Sequence, residues 1–163
     1  MRNMGPTLVA ILLLAAVLGA SGCATQDAWT ALPPASSFAH RVSAGDLRVF
    51  WNCSRPEPDL LQVEGVIQNI GGGRVRFAEV EVVAVNAGGQ TLGSARSAAR
   101  DIVMQTNQRS SFQVQIRTAG EPARFDMFYS HFAREEFGGL GSTPRRIQNR
   151  VRDICAAMEH HPE

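Results

Sequence analysis

From Asp46 to Phe132, apolar and polar residues alternate with a period of two. Phe112, Val114 and Ile116 alternate with Gln113, Gln115 and Arg117, the pattern of a strand with one buried and one wet face. Leu47, Val49, Trp51 and Cys53 repeat it, as do Val63, Gly65 and Ile67, then Val80, Val82 and Ala84, then Phe125, Met127 and Tyr129. A weaker strand runs from Thr91 to Ala99. Breakers separate the runs at Pro56 to Asp59, Gly71-Gly72-Gly73, Gly88-Gly89, Thr106 to Gln108 and Gly120-Glu121-Pro122, where turn chemistry is expected. No helical crossover fits in these gaps. Consecutive strands are therefore expected to be mostly antiparallel, in two sheets packed face to face.

The period changes after Gly138-Gly139-Leu140-Gly141. Ser142 or Thr143 can cap a helix, Pro144 suits its first turn, and Ile147, Val151, Ile154 or Cys155, and Met158 form an apolar stripe at helical spacing. The sequence thus predicts a C-terminal amphipathic helix, with Arg145, Arg146, Arg150 and Arg152 on its other face. Within the aromatic strand, period two sends Phe125 and Tyr129 to one side and Phe128 and Phe132 to the other. Phe128, Phe132 and the four arginines make the candidate partner surface.

The start of the chain has a different texture. Arg2 precedes an apolar run from Leu8 to Leu18, too short to span a bilayer but suited to a secretory signal. Ala20-Ser21-Gly22-Cys23 resembles the lipobox of bacterial lipoproteins, with Ala20 where the family usually has Leu. The resemblance implies that Cys23 becomes the acylated first residue of the mature chain, anchoring it to a membrane. Ala24 stands where an inner-membrane retention Asp is often found, which implies an outer-membrane anchor facing the periplasm. From Ala24 to His40, Pro33-Pro34 and scattered Ser and Ala read as a spacer, with Trp29 and Phe38 as stray aromatics. The expected organisation is a signal at 1–22, a lipidated Cys and flexible tether at 23–42, a β-sandwich at 43–133, and a Gly-rich loop with the helix at 134–163.

A chain of 163 residues, 44% hydrophobic and 19% charged, suits one ordinary globular domain. All 16 basic residues are arginine, which excludes Schiff-base chemistry, a P-loop lysine and Ser-Lys dyads. A net charge of +1 creates no global field to recruit nucleic acid. Apart from Cys23, the cysteines are Cys53 and Cys155, an even pair in an oxidising compartment. A bridge and two buried free thiols are both open. The mature chain has no Gly-x-Ser-x-Gly elbow, Cys-x-x-Cys, His-Glu-x-x-His or acidic calcium loop, so no catalytic residue, cofactor or metal site is expected. His40 and His131 read as isolated polar residues, and His160-His161 as a frayed tail.

Three landmarks between Leu60 and Phe128 resemble the FxLYD-type domain of bacterial envelope proteins. Val63-Glu64-Gly65-Val66-Ile67-Gln68-Asn69 matches a strand ending in Asn. Val80 to Gly89 matches the signature strand and hairpin, with Ala84-Val85-Asn86 where the family favours Leu-Tyr-Asp. Ser111-Phe112-Gln113-Val114 matches the returning strand. The resemblance implies an immunoglobulin-like sandwich serving as an extracytoplasmic scaffold or interaction module. The expected function is a non-catalytic envelope lipoprotein that binds a protein or envelope polymer. One alternative is an accessory protein holding lipid or a small ligand between the sheets. Another is an enzyme on envelope polymer or lipid that combines His131 with Glu135 or Glu136.

Overall fold

The computed structural model describes residues 32–133 and 144–156. The strands are β1 (His40–Ala44), β2 (Leu47–Glu57), β3 (Leu60–Asn69), β4 (Val75–Val85), β5 (Thr91–Ala98), β6 (Val103–Met104), β7 (Arg109–Arg117), β8 (Arg124–Ala133) and β9 (Arg145–Val151). The first sheet has the order β1-β2-β3-β7. The second runs β5-β4-β8-β9, with β6 pairing to β4. Every pairing is antiparallel. The chain changes sheets between β3 and β4, between β6 and β7, and between β7 and β8. This is an immunoglobulin-like β-sandwich.

Alternation places the core. Leu47, Val49 and Trp51 face Val80, Val82, Met127 and Tyr129 across the sheets, with Val63, Ile67, Val114 and Ile116 completing the buried cluster. In one row Trp51 pairs with Gly65 and Gly65 with Phe112. Gly65 is required there, because a Cβ would meet the Phe50 carbonyl oxygen and lie 2.5 Å from the Phe112 ring. Asn69, fully buried, ties off one end of the sandwich. Its side chain donates to the carbonyls of Gly73 (2.8 Å) and Met104 (3.1 Å) and accepts from the Gly71 N–H (3.0 Å). That end also holds the Gly45-Asp46 turn, the start of β4, β6 and the end of β8.

Two expectations need correction. Arg145–Val151 is a strand, where a helix was expected. It pairs with β8 in the register Met127 to Val151 and His131 to Ile147. Ile147 and Val151 are four apart, which satisfies period two as well as it approximates a helical turn. The free edge of β8 decides, because its backbone N–H and C=O groups need partners. After Asp153, in the left-handed region at φ 53°, Ile154 and Cys155 fold back to the core.

The second correction is at the front. The expected tether, 23–42, includes the start of β1, and the described residues just before β1 are also packed on the domain. Phe38 lies 6.1 Å from Phe50, ring centre to ring centre. Asn52 donates to the Ser37 carbonyl (3.1 Å) and accepts from the Ala39 N–H (2.7 Å). The outward-facing Phe50 and Val66 are buried, and both lie beneath or beside this segment. The signal, Cys23, Trp29, the Gly-rich stretch at 134–143 and the tail at 157–163 lie outside the described residues.

Candidate functional site

The outer face of the second sheet gathers the side chains expected to meet a partner. Alternation turns Phe128, Ser130 and Phe132 outward on β8, and Arg146, Gln148 and Arg150 outward on β9. The register sets Phe128 beside Arg150, Ser130 beside Gln148, and Phe132 beside Arg146. The Arg150 guanidinium lies 5.2 Å above the Phe128 ring centre, within cation–π range. Arg145 and Arg152 are exposed at the two ends of β9. Five of the six predicted surface residues therefore lie on β8 and β9, with Arg152 directly after β9, and the arginines come from a strand where a helix face was expected.

The arginines are not uniformly available. Arg146 donates to Ser130 Oγ at 3.0 Å and to Glu79 at 3.3 Å. Arg96 bridges Glu79 (3.6 Å) and Glu81 (3.3 Å) from the other side of β4. Arg150 donates to Asp126 at 2.6 Å. Arg146 and Arg150 are thus paired beside two half-buried aromatic rings.

Asp126 was not foreseen as important, and nothing in its sequence neighbourhood marks it. It is fully buried although it points to the outer face. Arg150, Arg124 (3.3 Å) and the Asp153 N–H (3.2 Å) all donate to its carboxylate. Burial alone pushes its carboxyl pKa up. The bonds from Arg150, Asp153 and Arg124 outweigh that and hold it below the ordinary carboxylate value. Asp126 thereby fixes the turn that returns the chain to the disulfide.

At that end Cys53 and Cys155 are bridged. Beside them Arg55, Arg124, Phe125 and Asp153 line a cavity of about 210 Å³, with the Arg55 guanidinium 5.5 Å from the Phe125 ring centre. A shallower groove of about 510 Å³ runs over the first sheet between Pro33, Phe38, Val66 and Phe112.

His131 is on the inward face of β8 and fully buried. Neither ring nitrogen has a hydrogen-bond partner. The Asp46 carboxylate stands 3.5 Å from Nε2. Burial lowers the imidazole pKa, and Asp46 only partly opposes this. His40 stacks on Trp51 at 5.4 Å, which gives it a packing role. Glu135, Glu136 and the His160-His161 pair are outside the described residues. Among the described residues no three His, Cys, Asp or Glu side chains are grouped to hold a metal, and no helix is long and apolar enough to cross a membrane.

Comparison with known proteins gives the chain no family. No family model matches it, and no curated protein does. Among solved structures it is similar to the GAE domain of GGA2p from Saccharomyces cerevisiae, with a TM-score of 0.45 and 9% identity over 71% of this chain and 94% of that one. It is also similar to part of a β-glucuronidase from glycoside hydrolase family 2, with a TM-score of 0.34 and 9% identity over 63% of this chain and 11% of that one.

Proposed function

We propose that this chain is a membrane-anchored envelope lipoprotein whose sandwich acts as a non-catalytic binding module for another envelope component. The observation that carries the binding half is the outer face of β8 and β9. There Phe128 and Phe132 stand half-buried beside Arg150 and Arg146, whose charges are already paired. Aromatic and arginine side chains are the types that dominate protein interfaces, and pre-paired arginines are held in position before a partner arrives. The anchoring half rests on the lipobox resemblance at Ala20 to Cys23. The FxLYD-type landmarks at Asn69 and Phe112 support an extracytoplasmic module through the resemblance alone.

Crosslinking in intact cells tests the reading. The chain has no lysine, so carboxylate-directed or photoreactive chemistry is needed. A reproducible protein or polymer partner is expected, and its absence across repeated experiments contradicts the module. Separately, Cys23→Ser should abolish acylation and release or mis-sort the protein. Unchanged membrane fractionation of that variant contradicts the anchor.

A further inference from the structure

The Asn69 end of the sandwich carries exposed apolar residues that the fold does not use. Phe77 is 58% exposed, Ile102 62% and Val103 36%. They form one patch. The Phe77 N–H donates to the Ile102 carbonyl at 2.8 Å, and the Phe77 ring meets Phe132 edge to face at 6.2 Å. Across β6, β4, β8 and β9 the register sets Val103, Arg76, Phe132 and Arg146 in one row, so apolar residues and arginines alternate along it.

Phe77 is in the left-handed region, at φ 50°, where a bulky side chain is strained and glycine or asparagine is not. It sits in the bulge where the pairing of β4 with β8 shifts register between Arg76 and Glu79. The bulge holds an exposed aromatic ring in a conformation that its own backbone disfavours, which is the kind of outlier that marks a functional position.

The same end is basic. Among the described residues it carries Arg74, Arg76, Arg100, Arg109, Arg145 and Arg146 against Asp46, Glu79 and Asp101. At the opposite end Arg117 is neutralised by Glu57 (2.8 Å) and Asp59 (2.9 Å). Arg109 reaches over the Phe50 ring and donates to the Pro33 carbonyl at 2.7 Å, where Pro33 lies over the outer face of the first sheet. Nine residues lie between Cys23 and Pro33, and fully extended they reach about 30 Å.

We propose that the Phe77, Ile102, Val103 and Phe132 patch with its flanking arginines docks on an anionic lipid surface, so that this end of the sandwich faces the membrane. The inference deepens the proposed function and rests on the reading of Cys23 as the acylated residue. The nine residues between Cys23 and Pro33 keep the sandwich within about 30 Å of the bilayer, and the patch with its flanking arginines selects the end that faces it. Exposed aromatic and aliphatic side chains enter the headgroup region while arginines meet anionic phosphates. With Phe132 against the lipid, the part of the outer face left to the proposed partner is Phe128 with Arg150, which stands farther from the membrane.

The test uses the full mature chain at vesicle excess, with phosphatidylethanolamine vesicles prepared with and without one-third phosphatidylglycerol. Amide exchange at 76–78 and 101–104 should slow at least about threefold on the anionic vesicles, with 57–60 and 86–90 unchanged. Phe77→Gly relieves the backbone and should remove that difference without lowering the unfolding temperature. Equal exchange on both vesicle types, or protection spread over both ends, overturns the docking. The mass of the Cys23 peptide reads the anchor independently. An acylated chain without local protection overturns the patch alone. An unacylated chain that still floats with anionic vesicles, and floats less with Phe77→Gly, sustains the patch and overturns the anchor. An unacylated chain that neither floats nor shows protection overturns both.

Discussion

The indole N–H of Trp51 donates to the carbonyl of Ile154 at 2.9 Å, bridging two residues 103 positions apart. The contact lies beside the Cys53–Cys155 bridge, and the Ile154 N–H donates to the Phe125 carbonyl at 2.9 Å. The end of the chain is therefore held by a covalent link, two buried hydrogen bonds and the burial of Ile154. Replacing both cysteines by alanine should lower stability by about 4 kcal/mol, as expected for opening a loop of this length. Trp51→Phe should cost about 1 to 3 kcal/mol, because the Ile154 carbonyl loses its buried donor. Urea unfolding of the two variants measures both.

Gly65 is expected to tolerate no side chain. Its missing Cβ is the space that Phe112 and the Phe50 carbonyl occupy. Gly65→Ala should destabilise the domain by about 1 to 3 kcal/mol or more, read as a lowered thermal midpoint. Gly88→Ala, at a turn where a Cβ meets only Asn86 Oδ1 at 3.4 Å, should be far milder.

Asp126→Asn keeps the side chain's shape but removes its charge from Arg150 and Arg124. Both arginines are partly exposed, so solvent screens the loss, and about 1 to 3 kcal/mol is expected. In the native chain the Asp126 pKa is lowered. Its contribution is therefore complete above the ordinary carboxylate range and disappears as pH falls through the lowered value. Comparing urea midpoints from neutral to acid pH should show the Asn variant missing that acid loss.

His131 acts in a higher pH window. Its folded-state pKa is lowered by burial, so between that value and about 6.5 the unfolded chain binds the extra proton. Stability should be complete above about pH 6.5 and fall as the medium is acidified towards the lowered value. His131→Asn should flatten the dependence between neutral and mildly acidic pH, whatever its effect on absolute stability. An unaltered slope contradicts the assignment.

Much of the sandwich was legible because the central strands alternate apolar inward residues with mostly polar outward ones. The runs at Leu47 to Cys53, Val63 to Ile67, Val80 to Ala84 and Phe112 to Ile116 all became strands with the alternation inward as read. The edges were not legible in the same way. β1 has few residues and an upstream composition that reads as spacer. In β9 the spacing of Ile147 and Val151 fits both periods, and only the unpaired edge of β8 distinguishes them. The alternation of Arg146, Gln148 and Arg150 with Ile147, Asn149 and Val151 was the available local signal. Of the candidate surface, all six residues were named from the sequence, but their support was not. Glu79, Asp126 and Ser130 come from other positions in the chain and reach Arg146 and Arg150 only through strand register. Phe77 is exposed because of a bulge, which hydrophobic periodicity does not report.

The most direct test of the binding module places a photoreactive phenylalanine analogue at Phe128 and, in a second strain, at Gln113 on the outer face of the first sheet. After irradiation of intact cells, the Phe128 position should give a reproducible crosslinked species several times more abundant than Gln113 gives, and Arg150→Glu should reduce it. Equal yields from both faces, or none from Phe128, would contradict a partner on β8 and β9.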